Sequence, residues 1–145
     1  MNPFLSIIIP AHNEANRLPN SLGQVFDFLE KQSFTAEVLV VENGSSDETL
    51  NIAKSFAAQH LNLRVIQSAR GKGAAVKRGF LEAKGDYRFM CDADLSMPIA
   101  EVSKFIPPLL TQFDIAIASR EAQGAVRYDE PRYRHLGGRL INFLI

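Results

Sequence analysis

Residues 5–14 read LSIIIPAHNE and residues 37–49 read EVLVVENGSSDET. Each is a short apolar run, rich in β-branched residues, that breaks into a polar cluster. The runs Leu5 to Ile9 and Glu37 to Val41 have strand length, and their cores are nearly continuous rather than alternating. Continuity of that kind suits strands of a parallel sheet covered on both faces. Three further runs repeat the pattern: Leu63 to Gln67, Tyr87 to Cys91 and Asp114 to Ala118.

Helical patterns fill the intervals. Leu18, Leu22, Val25, Phe26 and Leu29 fall at spacings of three and four. Ser45 and Glu48 have the spacing of a capping box ahead of Leu50, Ala53, Phe56 and Ala57. Residues 71–83 give a third helix, with Ala75, Val76, Phe80 and Ala83 on one face. A fourth is expected from Pro98, ended or kinked by Pro107 and Pro108. Strands alternating with helices predict an α/β domain, a mostly parallel sheet flanked by helices, in one unit over residues 1–145.

Composition narrows the classes. The 145 residues are 46% hydrophobic and 22% charged, enough to build a core and too apolar for disorder. Lys plus Arg and Asp plus Glu are 16 each, so the chain lacks the basic excess that a nucleic-acid-coating protein uses. One cysteine, Cys91, allows no internal disulfide and no Cys-based zinc cluster, which suits a reducing compartment such as the cytoplasm. No apolar run approaches the roughly 18 residues of a membrane span, and the start lacks a signal-peptide pattern.

Position is the main functional signal. In an open parallel sheet the C-terminal strand ends share one edge, where ligands bind. The five runs end in Ala11-His12-Asn13-Glu14, Glu42-Asn43-Gly44-Ser45-Ser46-Asp47, Arg70-Gly71-Lys72-Gly73, Asp92-Ala93-Asp94 and Ser119-Arg120. Asp92 and Asp94, two apart at a strand end, suit Mg²⁺ or Mn²⁺, which take one or two carboxylates together with substrate phosphates. Alone, the same triplet reads more often as a cap beside a solvated acid; the FMC run before it and the other clusters turn the balance toward a ligand site.

Arg70-Gly71-Lys72-Gly73 opens a helix with two cations and two glycines, a setting that favours phosphate. Neither the dinucleotide fingerprint nor a Walker loop fits, since Val76 stands where a third glycine belongs and no Ser or Thr follows Lys72. Glu42 and Asn43 suit a base or ribose contact, whereas Asp47 suits a cap on the second helix. Asn13 and Glu14 fit either a ligand contact or a cap. His12, His60 and His135 lack metal-ligand spacing. Cys91 reads as core, and no nucleophile with a matching His supports covalent hydrolysis.

Taken in order, SIIIPAHNEANRLPNSL, EVLVVENGSSDET, ARGKGAAVKRGFLEAKGD, FMCDADLSMP and IAIASRE resemble the inverting family-two glycosyltransferases of the GT-A fold. RLP, RGKGxAVxxG and DADLSxP make the chain similar to the dolichyl-phosphate β-glucosyltransferase branch and its polyprenyl-phosphate relatives. The resemblance implies a nucleotide-sugar donor, with UDP-glucose favoured, a polyprenyl or dolichyl phosphate acceptor and a divalent Mg²⁺ or Mn²⁺. It places Pro10, Ala11, Asn13 and Glu14 along the nucleoside pocket. Glu42 and Asn43 stand at the base, where the family more often has two Asp residues. Lys72 falls near base and diphosphate, Asp92 near the ribose, and Asp94 on the metal, with Asp92 and Ser96 as further metal ligands. Asp94, Arg120, Arg134 and Arg139 carry the catalytic roles, the arginines beside the transferred or acceptor phosphate.

The chemistry is consistent with those types. A departing nucleoside diphosphate gains negative charge that a metal and a lysine stabilise. A lipid monophosphate, mostly dianionic at pH 7, needs cations to align it more than a base to activate it. Arg127, Arg132, Arg134 and Arg139 precede Leu136, Leu140, Phe143 and Leu144 or interleave with them. That basic and apolar pattern suits peripheral contact with the cytoplasmic face of a membrane. Related enzymes continue further, so this chain is expected to hold the donor portion and to lack part of the acceptor portion. The competing expectations are a nucleotide-sugar-binding module without turnover and another metal-dependent sugar-nucleotide enzyme.

Overall fold

Four apolar runs become strands: β1 Leu5–Ala11, β2 Ala36–Glu42, β3 Leu63–Gln67 and β4 Tyr87–Met90. The computed structural model describes residues 2–119. Helices α1 Leu18–Leu29, α2 Thr49–Gln59 and α3 Lys72–Glu82 lie between the strands, and a 3-10 helix spans Ile99–Phe105. The chain divides into two units, Met1–Thr111 and Gln112–Ile145, and all of these elements belong to the first.

The sheet is wholly parallel, in the order β3-β2-β1-β4. Strand alternation sorts its two faces. Leu5, Ile7, Ile9, Val38, Val40 and Leu63 pack with Leu18, Leu22 and Val25 of α1, Ala53 of α2 and Val102 of the 3-10 helix. Ile8, Leu39 and Val41 point to the other face and pack with Ala75 of α3 and Ala83 just beyond it. Covering both faces explains why β1 and β2 read as continuous apolar runs.

Close approach fixes α3 and the turn after it. A Cβ on Gly79 would lie 2.4 Å from Ile8 Cγ2, and one on Gly85 would lie 2.6 Å from the Ser6 backbone nitrogen. Only glycine lets these segments sit on β1.

Three local expectations are corrected. Residues 114–118 form no strand: Ile115 and Ile117 are 84% and 83% exposed, and the described residues give them neither a ladder partner nor a cover. An apolar run becomes a strand only where both are supplied. Ser45 and Glu48 form no capping box, because Ser45 is engaged by the β1–α1 loop and the cap position, Glu48, makes no side-chain cap bond. The helix after Pro98 is a 3-10 helix, and it stops at Phe105, ahead of the two prolines.

Register places the strand ends. Ala11 is paired with Glu42, and Glu42 with Gln67, so three strands finish in one row. The β1–β4 ladder stops earlier, at Ile8 opposite Met90. The Ile8 carbonyl accepts the Cys91 N–H at 3.1 Å. Alternation turns the Pro10 nitrogen toward the same neighbour, but proline has no hydrogen to donate. Pairing therefore ends, and the chain after β4 is released beside the end of β1.

Candidate functional site

That release opens a cavity of about 230 Å³ at the C-terminal edge of the sheet. Pro10 and Ala11 line it from β1, His12 and Glu14 from the loop after it, Asn43 from just beyond β2, Lys72 from α3, and Asp92, Ala93 and Asp94 from the segment after β4. Seven of the residues singled out from sequence thus converge: Pro10, Ala11, Glu14, Asn43, Lys72, Asp92 and Asp94. A cavity of about 300 Å³ at the opposite edge is lined by Phe26, Leu29, Phe34 and His60 among others. It draws no polar cluster from the strand ends.

The first wall is a clasp between two loops. The Asn13 N–H donates to Ser45 Oγ at 3.1 Å, and the Ser46 N–H donates back to Asn13 Oδ1 at 2.9 Å. The Glu14 N–H donates to Thr49 Oγ1 at 2.8 Å and the Ala15 N–H to Asp47 Oδ2 at 3.1 Å. Asn13 adopts φ 55°, a left-handed conformation that asparagine tolerates well. Its side chain is spent on the clasp, and Asn13 is not among the residues lining the cavity. Asp47 also accepts the Thr49 hydroxyl and N–H. The Thr49 hydroxyl bond is the main influence lowering its carboxyl below the ordinary Asp value; the N–H groups of Thr49 and Ala15 add to it against a burial effect.

Glu42 lies beneath this wall. Its carboxylate accepts the Ser45 N–H at 2.5 Å and the Gln67 amide at 3.4 Å. Burial pushes its titration up, yet the bonds from Ser45, Gln67 and the Gly44 N–H outweigh that and hold it below the ordinary Glu value. Asn43, by contrast, faces the cavity. It is 3% exposed, and its Oδ1 is buried with no partner among the described residues. His12 Nδ1 is the other such atom. Histidine spacing gave no hint of His12; its place just beyond a strand's apolar core was the available signal.

The second wall is the turn Asp92-Ala93-Asp94. The Ser21 hydroxyl on α1 donates to the Ala93 carbonyl at 2.6 Å, and the Leu95 N–H closes onto the Asp92 carbonyl at 3.0 Å. Leu95 takes φ 47°, a strained conformation for leucine that its burial holds in place. Asp94 Oδ1 accepts the Ser96 N–H at 2.9 Å. Burial raises the Asp94 carboxyl, but the Ser96 N–H and hydroxyl together with the charge of Arg17 bring it below the ordinary Asp value. Ser96 is thus seated on Asp94 and is not among the cavity-lining residues. Cys91 is buried, and burial, with the Asp92 charge beside it, pushes its thiol up to about 12, far from a nucleophile's range.

Lys72 closes the floor. It is the first residue of α3, after Gly71 at φ 119°, a conformation suited to glycine. Its ammonium lies 2.6 Å from Asp92 Oδ1. Arg17, the first residue of the RLP stretch, pairs with Glu14 at 3.2 Å. Arg120, Arg134 and Arg139 lie outside the described residues, as does the basic and apolar segment from Arg127 to Leu144.

Two hard carboxylates two residues apart, facing a cavity that also holds a lysine, fit Mg²⁺ or Mn²⁺ completed by phosphate oxygens. Among the described residues no group of three or more His, Cys, Asp or Glu is placed to hold a metal by itself. No helix among them is long and apolar enough to cross a membrane.

Comparison with known proteins shows the family of the chain. Residues 6–144 match the family model described as glycosyl transferase family 2. The chain is 37% identical over 131 residues to a dolichyl-phosphate beta-glucosyltransferase of Drosophila melanogaster, covering 80% of this chain and 40% of that protein. Among solved structures it is similar to mannosyltransferase PcManGT from Pyrobaculum calidifontis in complex with GDP-Man and Mn²⁺, with TM-score 0.56 and 26% identity over 65% of this chain and 28% of the other. It is also similar to S. aureus TarS 1-349 in complex with UDP-GlcNAc, with TM-score 0.53 and 29% identity over 62% of this chain and 26% of the other. The chain spans about two fifths of the length of the curated Drosophila relative.

Proposed function

We propose that this chain, which belongs to glycosyl transferase family 2, carries the donor site of an enzyme that moves a hexose from a nucleotide-diphosphate sugar to a polyprenyl or dolichyl phosphate, with inversion. The observation that carries the reading is the convergence of Asn43, Lys72, Asp92 and Asp94 on one cavity. The dolichyl-phosphate relative supports the acceptor, and the two nucleotide-sugar complexes support the donor class.

The residues divide the work. Asn43, with an unmatched buried acceptor, faces the base together with Pro10 and Ala11, while Glu42 holds the loop that presents it. Lys72 meets the diphosphate as its charge grows, where a fixed cation stabilises the departing group. Asp92 and Asp94 would hold Mg²⁺ or Mn²⁺, and the bound ion supplies Lewis-acid stabilisation of the leaving diphosphate. Asp94 stays ionised for that task because its bonds from Ser96 and the charge of Arg17 outweigh burial. Arg120, Arg134 and Arg139 align the acceptor phosphate, a dianion that attacks without a general base. The surrounding basic and apolar segment makes peripheral contact at the cytoplasmic face of a membrane.

UDP-glucose is the favoured donor. GDP-mannose is the second reading, supported by the GDP-Man complex of the similar mannosyltransferase. Incubating the chain with Mn²⁺, a short polyprenyl phosphate and each labelled sugar nucleotide tests both. Label in the lipid fraction from one donor, with the anomer inverted by NMR, is the expected result. No transfer from either donor by the folded chain would contradict turnover by this chain.

A further inference from the structure

We infer that Lys72 competes with the divalent cation for Asp92, so that metal and nucleoside diphosphate bind this chain cooperatively. The inference rests on the donor-site reading above and adds an order of events to it. Lys72 Nζ lies 2.6 Å from Asp92 Oδ1, and both residues line the same cavity. A cation approaching Asp92 therefore meets an ammonium on one of its oxygens. Asp94 is also engaged: its Oδ1 accepts the Ser96 N–H, and the charge of Arg17 acts on it. Asp92 thus already holds a protein cation, and Asp94 already spends one oxygen on the Ser96 N–H.

A bare divalent ion has little to gain here. It must displace Lys72, and the described residues offer it no third His, Cys, Asp or Glu in a metal-holding group. A nucleoside diphosphate changes both terms. Its phosphates give Lys72 another anion in the same cavity, which frees Asp92, and they contribute hard oxygens to the ion. The exchange is easy because the Lys72 and Asp92 side chains are 64% and 50% exposed, and exposed ion pairs hold weakly. Lys72 then serves twice, as the partner of Asp92 and as the partner of the diphosphate.

The test is a titration of the 145-residue chain with Mn²⁺ alone, reading free Mn²⁺ by electron paramagnetic resonance. Lys72→Met is expected to bind Mn²⁺ roughly three- to tenfold more tightly than wild type, and Lys72→Arg to match wild type. Adding Asp92→Asn to Lys72→Met should abolish the gain. With UDP or GDP present, the nucleotide should enhance Mn²⁺ binding less in Lys72→Met than in wild type, by the same factor where bound nucleotide draws Lys72 fully off Asp92, and by reciprocity Mn²⁺ should enhance nucleotide binding correspondingly less. Mn²⁺ affinity unchanged or weakened in Lys72→Met would overturn the competition, whatever the nucleotide does. Failure of wild type to bind either nucleotide would instead overturn the donor-site reading, and the Mn²⁺-only arm keeps the two failures apart.

Discussion

The Ser21 hydroxyl donates to the Ala93 carbonyl at 2.6 Å across 72 positions of sequence, and both groups are buried. This bond ties the first turn of α1 to the turn that presents Asp92 and Asp94. The turn also contains a leucine at φ 47° and begins where Pro10 ends the β1–β4 ladder, so few backbone bonds support it.

Ser21→Ala leaves the Ala93 carbonyl buried without its donor, a loss of about 1–3 kcal/mol. Urea denaturation should show that loss, and Mn²⁺ binding in the presence of nucleotide should weaken as the turn loosens. Ser55→Ala removes an exposed hydroxyl bonded to the Ile52 carbonyl and should change stability by no more than about 0.5 kcal/mol. Equal effects of the two substitutions would contradict the role given to Ser21.

Gly85→Ala places a methyl 2.6 Å from both the nitrogen and the hydroxyl of Ser6 and 2.8 Å from the Leu5 carbonyl carbon. Backbone of a central strand cannot give way cheaply, so a cost of about 1–3 kcal/mol or more is expected in thermal unfolding. Gly23→Ala in α1 meets nothing within 4 Å and should stabilise by about 0.5–1 kcal/mol.

Glu37 makes stability fall in acid. Its buried carboxylate accepts the Ser6 hydroxyl at 2.7 Å, the Lys84 N–H at 2.6 Å and Arg64 at 3.2 Å. Burial pushes the carboxyl up, but these partners together bring it below the ordinary value of 4.5. The unfolded chain then binds the proton more readily, so this stabilisation is complete above pH 4.5 and is lost as pH falls through the lower folded value. Glu42, Asp47 and Asp94 shift in the same direction. The urea midpoint should hold steady from pH 7 to 5.5 and drop below 4.5. Glu37→Gln should start lower and drop less, and parallel curves would contradict this role.

Strand positions and the polar clusters at four strand ends were legible because apolar continuity and β-branching record burial on both faces, as at Ile7 to Ile9 and Val38 to Val41. What sequence could not supply was long-range pairing. Ser45 and Glu48 have capping-box spacing, yet Asn13, 32 positions earlier, takes the Ser45 hydroxyl. Glu42 and Asn43 look equivalent as neighbours, but strand alternation turns one under the loop and the other into the cavity. Ile115 and Ile117 carry a strand's pattern without a strand's neighbours among the described residues. Ser21 carries no local signal because its importance lies in what α1 packs beside.

The central claim is that Asp94 and its neighbours bind a nucleotide through a divalent ion. Calorimetric titration of UDP, UDP-glucose and GDP-mannose, with Mn²⁺ and again with EDTA, measures this directly in wild type and Asp94→Ala. Wild type is expected to bind at least one nucleotide only when Mn²⁺ is present, and Asp94→Ala to weaken this by about tenfold or more. A folded wild-type chain that binds none of the three, or an Asp94→Ala variant that binds as wild type does, would contradict it.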